Sequence, residues 1–285
     1  MPTSGTRPFG RLDDRRAFVS GGAKGIGAAI ARSFAEAGAR VVIADLDIET
    51  ASGLARQIGA TAAHLDVGDS GMVQAIMSQH GPFDIVVNNA GVDQHAFFTD
   101  TTPEDWARLL AVNLVSAFAC THAALPSMQA AGFGRIINIT SEAARLGSKG
   151  GAVYSAAKGG VIAFTKSIAR ENARFGITAN SIAPGPIRTP MLEAAVAKGG
   201  DKILHAMTDA TRSRTARDRR DADVRGLVSA FYHAVADKTP LPQDQRMEID
   251  RAALRVARRV YPLLADRIAG ELDRLYGPDT SPNAG

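Results

Sequence analysis

The chain has 285 residues, 45% of them hydrophobic and 22% charged, the balance of a soluble globular protein with material for one large domain or one domain and an appendage. A formal net charge of +4 raises the question of a nucleic-acid partner. The basic residues are mixed with acids, however, and the one cluster (Arg212, Arg214, Arg217, Arg219, Arg220) is diluted by Asp218, Asp221 and Asp223, which describes a solvated face. The first ten residues lack the apolar centre of a secretory signal, no run of about 18 uncharged apolar residues marks a membrane span, and the single Cys120 cannot form an internal disulfide; together these predict a cytoplasmic protein.

In chain order, β-branched and apolar runs at 17–20, 40–44, 62–65, 84–87, 135–139 and 177–182 alternate with helical patterns at 27–37, 48–58, 71–80, 103–128 and 154–175. Unbroken apolar strands separated by helices predict a doubly wound α/β fold, its parallel sheet covered on both faces and its ligands bound at the strands' carboxyl ends. The first strand runs into Ser20-Gly21-Gly22-Ala23-Lys24-Gly25-Ile26-Gly27. Glycines in such a turn let the backbone approach a pyrophosphate closely and seat it on a helix N-terminus. Asp45 closes the second strand, about twenty residues further on, where a carboxylate accepts from adenosine ribose hydroxyls and repels a 2′-phosphate. This favours NAD over NADP, while Lys24, inside the turn, pulls weakly the other way.

Tyr154 and Lys158 are four residues apart in Tyr154-Ser155-Ala156-Ala157-Lys158, thirteen residues beyond Ser141. A phenol and an amine so spaced share one helix face, where the ammonium can lower the tyrosine pKa into a range useful for acid–base catalysis. The six histidines, His64, His80, His95, His122, His205 and His233, show no ligand spacing with Cys or acids, so no metal site is expected. Gln94, His95, Glu142, Arg145 and Met191 adjoin these positions and are candidate substrate contacts, each equally readable as a loop residue.

Taken together, Ser20–Gly27, Asp66-Val67, Asn88-Asn89-Ala90-Gly91, Asn113, Ser141, Tyr154/Lys158 and Pro184-Gly185-Pro186-Ile187-Arg188-Thr189 resemble, in order and spacing, the short-chain dehydrogenase/reductase family. The resemblance spans residues 10–192 and implies a Rossmann domain carrying both cofactor and substrate. It implies that Asp66 and Val67 flank the adenine and that the Asn89-Ala90-Gly91 turn supports the cofactor. Ile187 and Thr189, beside Pro184 and Gly185, would hold the nicotinamide carboxamide. It further implies a catalytic tetrad. Tyr154 exchanges a proton with the substrate oxygen, Lys158 lowers its pKa and bonds the nicotinamide ribose, Ser141 hydrogen-bonds the substrate, and Asn113 holds a water. The expected activity is hydride transfer between NAD(H) and a secondary alcohol or ketone. The alternative is a dinucleotide-binding protein without turnover, which nothing obliges to keep Ser141, Tyr154 and Lys158. Long apolar helices over 106–128 and 154–175 resemble those that pair across a two-fold axis in the family, so a homodimer or higher homo-oligomer is expected.

Beyond Met191 the resemblance ends. Residues 193–222 read as a mobile substrate loop and 223–277 as a helical segment, interrupted at Pro262, in place of the family's usual last strand. Residues 278–285 read as a disordered tail.

Overall fold

The computed structural model describes residues 12–185, 187 and 189–199; the expectations for 223–285, the missing last strand among them, lie outside the described residues. Six strands form one parallel sheet: β1 (Arg16–Ser20), β2 (Arg40–Asp45), β3 (Thr61–His64), β4 (Ile85–Asn88), β5 (Gly134–Ile139) and β6 (Ile177–Ile182), in the spatial order β3-β2-β1-β4-β5-β6. The chain reverses its winding direction between β1 and β4, which leaves a crevice at their carboxyl ends.

Side-chain alternation along the strands feeds two cores. On one face Val19, Ile43, Val87 and Ile137 meet Ile30 and Phe34 of α1 (Gly25–Glu36) and Leu54 of α2 (Ile48–Ile58). On the other, Phe18, Val42, Val86 and Ile136 meet three further helices: Val73 and Met77 of α3 (Ser70–His80), Cys120, Ala124 and Met128 of α5 (Ser116–Ala131), and Ile168 of α7 (Ala152–Asn172).

The helix starts follow local chemistry. Asp47 caps α2 through Thr50 N–H, and Asp69 caps α3 through Gly71 and Met72 N–H. Thr102 and Asp105 form a reciprocal capping box on α4 (Pro103–Leu110), which carries proline in its first turn. Between α4 and α5 the chain makes a π-helical turn, Ala111–Val115, centred on Asn113; such turns occur preferentially at functional sites. By length and composition alone the stretch Pro103–Ala131 could cross a membrane; in this fold it buries Leu109, Ala117, Cys120, Ala124 and Met128.

Two further differences from expectation emerge. A short helix, α6 (Ala143–Leu146), follows Ser141. The segment expected to be a loop from residue 193 instead begins as helix, because α8 runs over Pro190–Gly199. Proline presets the first turn of α8, and Thr189 accepts at its start from Leu192 and Glu193 N–H.

Candidate active site

The glycine-rich turn is held from three sides. Asn89 Nδ2 donates to the carbonyls of Ser20 (3.0 Å) and Gly21 (2.8 Å), and the Ser20 hydroxyl accepts from Asn89 and Ala90 N–H. Gly27 has no room for a side chain: a Cβ there would collide with the Gly21 carbonyl oxygen and with Asn89 Nδ2. Thr189 closes the third side, its Cγ2 standing 3.3 Å from where a Cβ on Gly25 would lie. Lys24 at the N-cap of α1 makes no side-chain capping bond, and the first turn carries no acid. Helix N–H groups so left, beside Gly21 and Gly25 in the left-handed region, suit the donor pattern a pyrophosphate requires. Ile26 lies partly buried against the first core.

At the end of β2, Asp45 Oδ2 accepts from Ala23 N–H and Oδ1 from Asp47 N–H, both at 2.9 Å. A carboxylate offers about four acceptor directions, so capacity remains for ribose hydroxyls. Asp66, exposed, accepts from Gly68 N–H (2.8 Å), beside the buried Val67. These residues lie along the carboxyl edge of β1, β2 and β3.

The catalytic candidates converge across β4, β5 and α7. Lys158 is 4% exposed, and its Nζ donates to the Ile139 carbonyl at 3.0 Å and lies 5.9 Å from the Tyr154 ring centre. A Cβ on Gly91 would lie 2.9 Å from Asn113 Oδ1 and 3.3 Å from Lys158 Nζ, so Gly91 is the gap through which these two groups approach. Asn113 is a backbone clamp: Nδ2 donates to Val92 and Leu109 carbonyls and Oδ1 accepts from Val92 N–H. Ser141 Oγ accepts from Ala143 N–H, and its side chain lies near enough to Tyr154 to pull the phenol's titration down.

The titration of the pair departs from expectation. Burial pushes the Tyr154 phenol above its ordinary value; the Ser141 hydrogen bond pulls it down and the Asp93 charge pushes it up. Burial lowers the Lys158 ammonium from 10.5 to about 8, against an opposing pull from Asp93. The expected lowering of Tyr154 by Lys158 is therefore absent from the isolated chain. Both groups are withdrawn from water, and burial is the largest cause of each shift.

The five candidate substrate contacts separate. Gln94 is buried and faces α7: its Oε1 accepts from Val153 (3.0 Å) and Tyr154 (3.1 Å) N–H, and its Nε2 donates to the Ala96 carbonyl. Gly151, the N-cap of α7, has no side chain to serve those groups, and Gln94 does so from another loop. It thereby ties the loop at residue 94 to the start of the helix that carries Tyr154 and Lys158. His95 pairs with Asp93 at 3.3 Å. Glu142 lies over Gly185, its N–H donating to the Pro184 carbonyl. Arg145 on α6 and Met191 on α8 are exposed, while Ile187 is buried. Asp93, whose charge acts on both Tyr154 and Lys158, and Asp47 are site residues that sequence reasoning missed. Among the described residues no group of three or more His, Cys, Asp or Glu could hold a metal.

A model of the short chain dehydrogenase family matches residues 15–199. The chain belongs to this family. It is thereby an NAD(P)-dependent oxidoreductase acting on CH–OH or C=O groups. It is similar to an acetoacetyl-CoA reductase of Rhizobium meliloti, 40% identical over 190 residues that cover 65% of this chain and 78% of the relative. It is also similar to a D-β-hydroxybutyrate dehydrogenase of Cupriavidus necator, 37% identical over 196 residues covering 65% and 75%. Among solved structures, a 3-ketoacyl-(acyl-carrier-protein) reductase from Brucella melitensis complexed with NADH superposes with a TM-score of 0.61 at 32% identity, over 64% of this chain and 80% of that one.

Proposed function

We propose that this short-chain dehydrogenase interconverts a secondary alcohol and a ketone with NAD(H), using Ser141, Tyr154, Lys158 and Asn113. The observation that carries this reading is the juxtaposition on α7 of Tyr154 and the buried Lys158, one turn apart, with the Ser141 side chain near the phenol. Bound nicotinamide cofactor supplies or accepts the hydride, and the chain's residues manage the proton. A Tyr154 held protonated by burial is a proton donor for the oxygen of a ketone being reduced, and Ser141 hydrogen-bonds that same oxygen. Lys158, pushed to about 8, retains its charge near neutral pH and offsets negative charge arising on the phenol oxygen. Asn113, clamped to Val92 and Leu109, keeps the 88–92 turn and Gly91 against Lys158.

Asp45 supports NAD over NADP, since a fixed carboxylate suits a 2′-hydroxyl and repels a 2′-phosphate. Leu110, Val115 and Phe118 leave apolar surface exposed along α4, α5 and the turn between them, which supports pairing with a second copy.

The test follows the absorbance of NADH or NADPH with a panel of secondary alcohols and ketones. β-Hydroxybutyrate and acetoacetyl-CoA, the compounds in the relatives' names, head the panel. Cofactor-dependent turnover of at least one ketone, stronger with NADH than NADPH, is expected. Cofactor binding without turnover across the panel would favour a non-catalytic binder.

A further inference from the structure

The glycine-rich turn carries a cation of its own, Lys24, and an acid that the reading of the sequence did not use stands against it. Lys24 Nζ meets Asp47 Oδ2 at 2.6 Å, both side chains remaining half-exposed. Asp47 is fixed for this task from two other directions. Its Oδ1 accepts from Thr50 N–H at 3.0 Å, its Oδ2 from the Thr50 hydroxyl at 2.7 Å, and its own N–H donates to Asp45 Oδ1 at 2.9 Å. Asp45 in turn accepts from Ala23 N–H, the residue before Lys24. The four groups thus close a ring between the phosphate turn and the start of α2.

We propose that Asp47 is a cofactor-specificity residue: it neutralises Lys24 and so denies a 2′-phosphate the one cation of this ring. The inference rests on the NAD reading above and deepens it. Asp45 alone would leave that preference contested, since a free ammonium in the turn attracts a phosphate. With Asp47 in place the ring carries two carboxylates against one ammonium, a net charge of −1 that suits a neutral ribose hydroxyl. Lys24 is engaged as a counter-ion before any ligand arrives, and a 2′-phosphate would have to displace a carboxylate already anchored as a helix cap. Leu46, between the two acids and exposed, adds no cation of its own. The titration agrees with the geometry, because the hydrogen bond to Lys24 and those from Thr50 hold the Asp47 carboxyl well below the usual range while the Asp47 bond raises Lys24.

The perturbation is Asp47→Asn, which keeps the capping acceptor for Thr50 and removes the charge, with Asp47→Ser as a second uncharged capping residue. Dissociation constants are measured by calorimetry for NAD, NADP, adenosine 5′-monophosphate and adenosine 2′,5′-bisphosphate, none requiring turnover. Both variants are expected to bind NADP and the bisphosphate about threefold to tenfold more tightly than the unmodified chain, with NAD and the monophosphate within about twofold. In Asp47→Asn combined with Lys24→Ala the gain is expected to vanish. If both single variants unfold at the unmodified urea midpoint yet bind 2′-phosphorylated ligands no better, the inference is overturned. It is overturned equally if the gain survives removal of Lys24. The NAD-to-NADP ratio of the unmodified chain is a separate readout: equal affinities would remove the Asp45 reading, while the change on altering Asp47 still decides the role of Lys24.

Discussion

Replacing Lys158 with methionine should abolish turnover and, separately, erase a specific pH dependence of stability. The side chain is nearly inaccessible and its ammonium is lowered from 10.5 to about 8 by burial. A lysine depressed in the native state binds fewer protons than in the unfolded chain between those two values, so stability must rise with pH across that window. The full linkage is about 3 kcal/mol, from a shift of about 2.5 units at about 1.4 kcal/mol each. Between about pH 7 and pH 9.5 the two titration curves give a gain of about 2 kcal/mol, with the remainder arriving at higher pH. Cys120, pushed up to about 12 by burial, works in the opposite sense, since a raised native thiol loses stability as pH climbs past its unfolded value. It is present in both proteins and cancels in the comparison. Tyr154, also raised, acts only above its ordinary value near 10 and lies outside the window. Urea unfolding of the ligand-free protein and of Lys158→Met, at both pH values, gives the difference of differences. A gain of about 2 kcal/mol in the unmodified chain that the methionine variant lacks supports the buried, depressed lysine. Identical pH dependence in the two proteins would refute it.

Three further outcomes are expected. Gly27→Ala sets a methyl group against the Gly21 carbonyl and Asn89 and should cost about 3 kcal/mol in urea unfolding together with cofactor binding; a variant of unchanged stability would mean the turn can open. Gln94→Ala removes the acceptor for Val153 and Tyr154 N–H and should cost about 2 kcal/mol. Turnover should fall while the NAD dissociation constant holds, and Gln94→Glu should restore most of it; equal losses in both variants would count against the positioning role. Phe118, whose ring lies 4.5 Å from that of Phe164 yet remains partly exposed, should support self-association, so light scattering should find a homodimer that Phe118→Glu dissociates; a monomeric unmodified chain would contradict this.

The sheet was readable from the sequence because a parallel sheet buried on both faces demands unbroken runs such as Ile85–Asn88. The doubly wound class followed from the βα alternation and the handedness of crossovers, while the strand order β3-β2-β1-β4-β5-β6 is seen only in the structure. The glycine turn and the Tyr154/Lys158 pair were legible in residue type and spacing, and Ser141 through the family resemblance; their chemistry is the proposal made above. What escaped was non-local or dependent on burial. Gln94 bonds to backbone about 60 residues away, a link no periodicity encodes. Asp47 looks like an ordinary helix cap until Lys24 is seen against it, although an acid two residues beyond Asp45 was a signal that could have been weighed. The π-helical turn at Asn113 leaves no compositional trace. Spacing places a cation one turn from Tyr154 but does not reveal the burial that pushes the phenol up in this chain. The first turns of α8 were missed because the polar, Gly-, Thr- and Arg-rich character of the stretch to Asp221 was extended back over Ala194, Ala195 and Ala197, which favour helix.

The most direct test of the proposed chemistry is Tyr154→Phe, which keeps the ring and deletes the exchangeable proton. On a ketone that the unmodified chain reduces, turnover should fall by about two to four orders of magnitude, with the NADH dissociation constant nearly unchanged. A variant that retained most of its turnover would contradict the assignment of Tyr154 as the proton donor, and with it the mechanism.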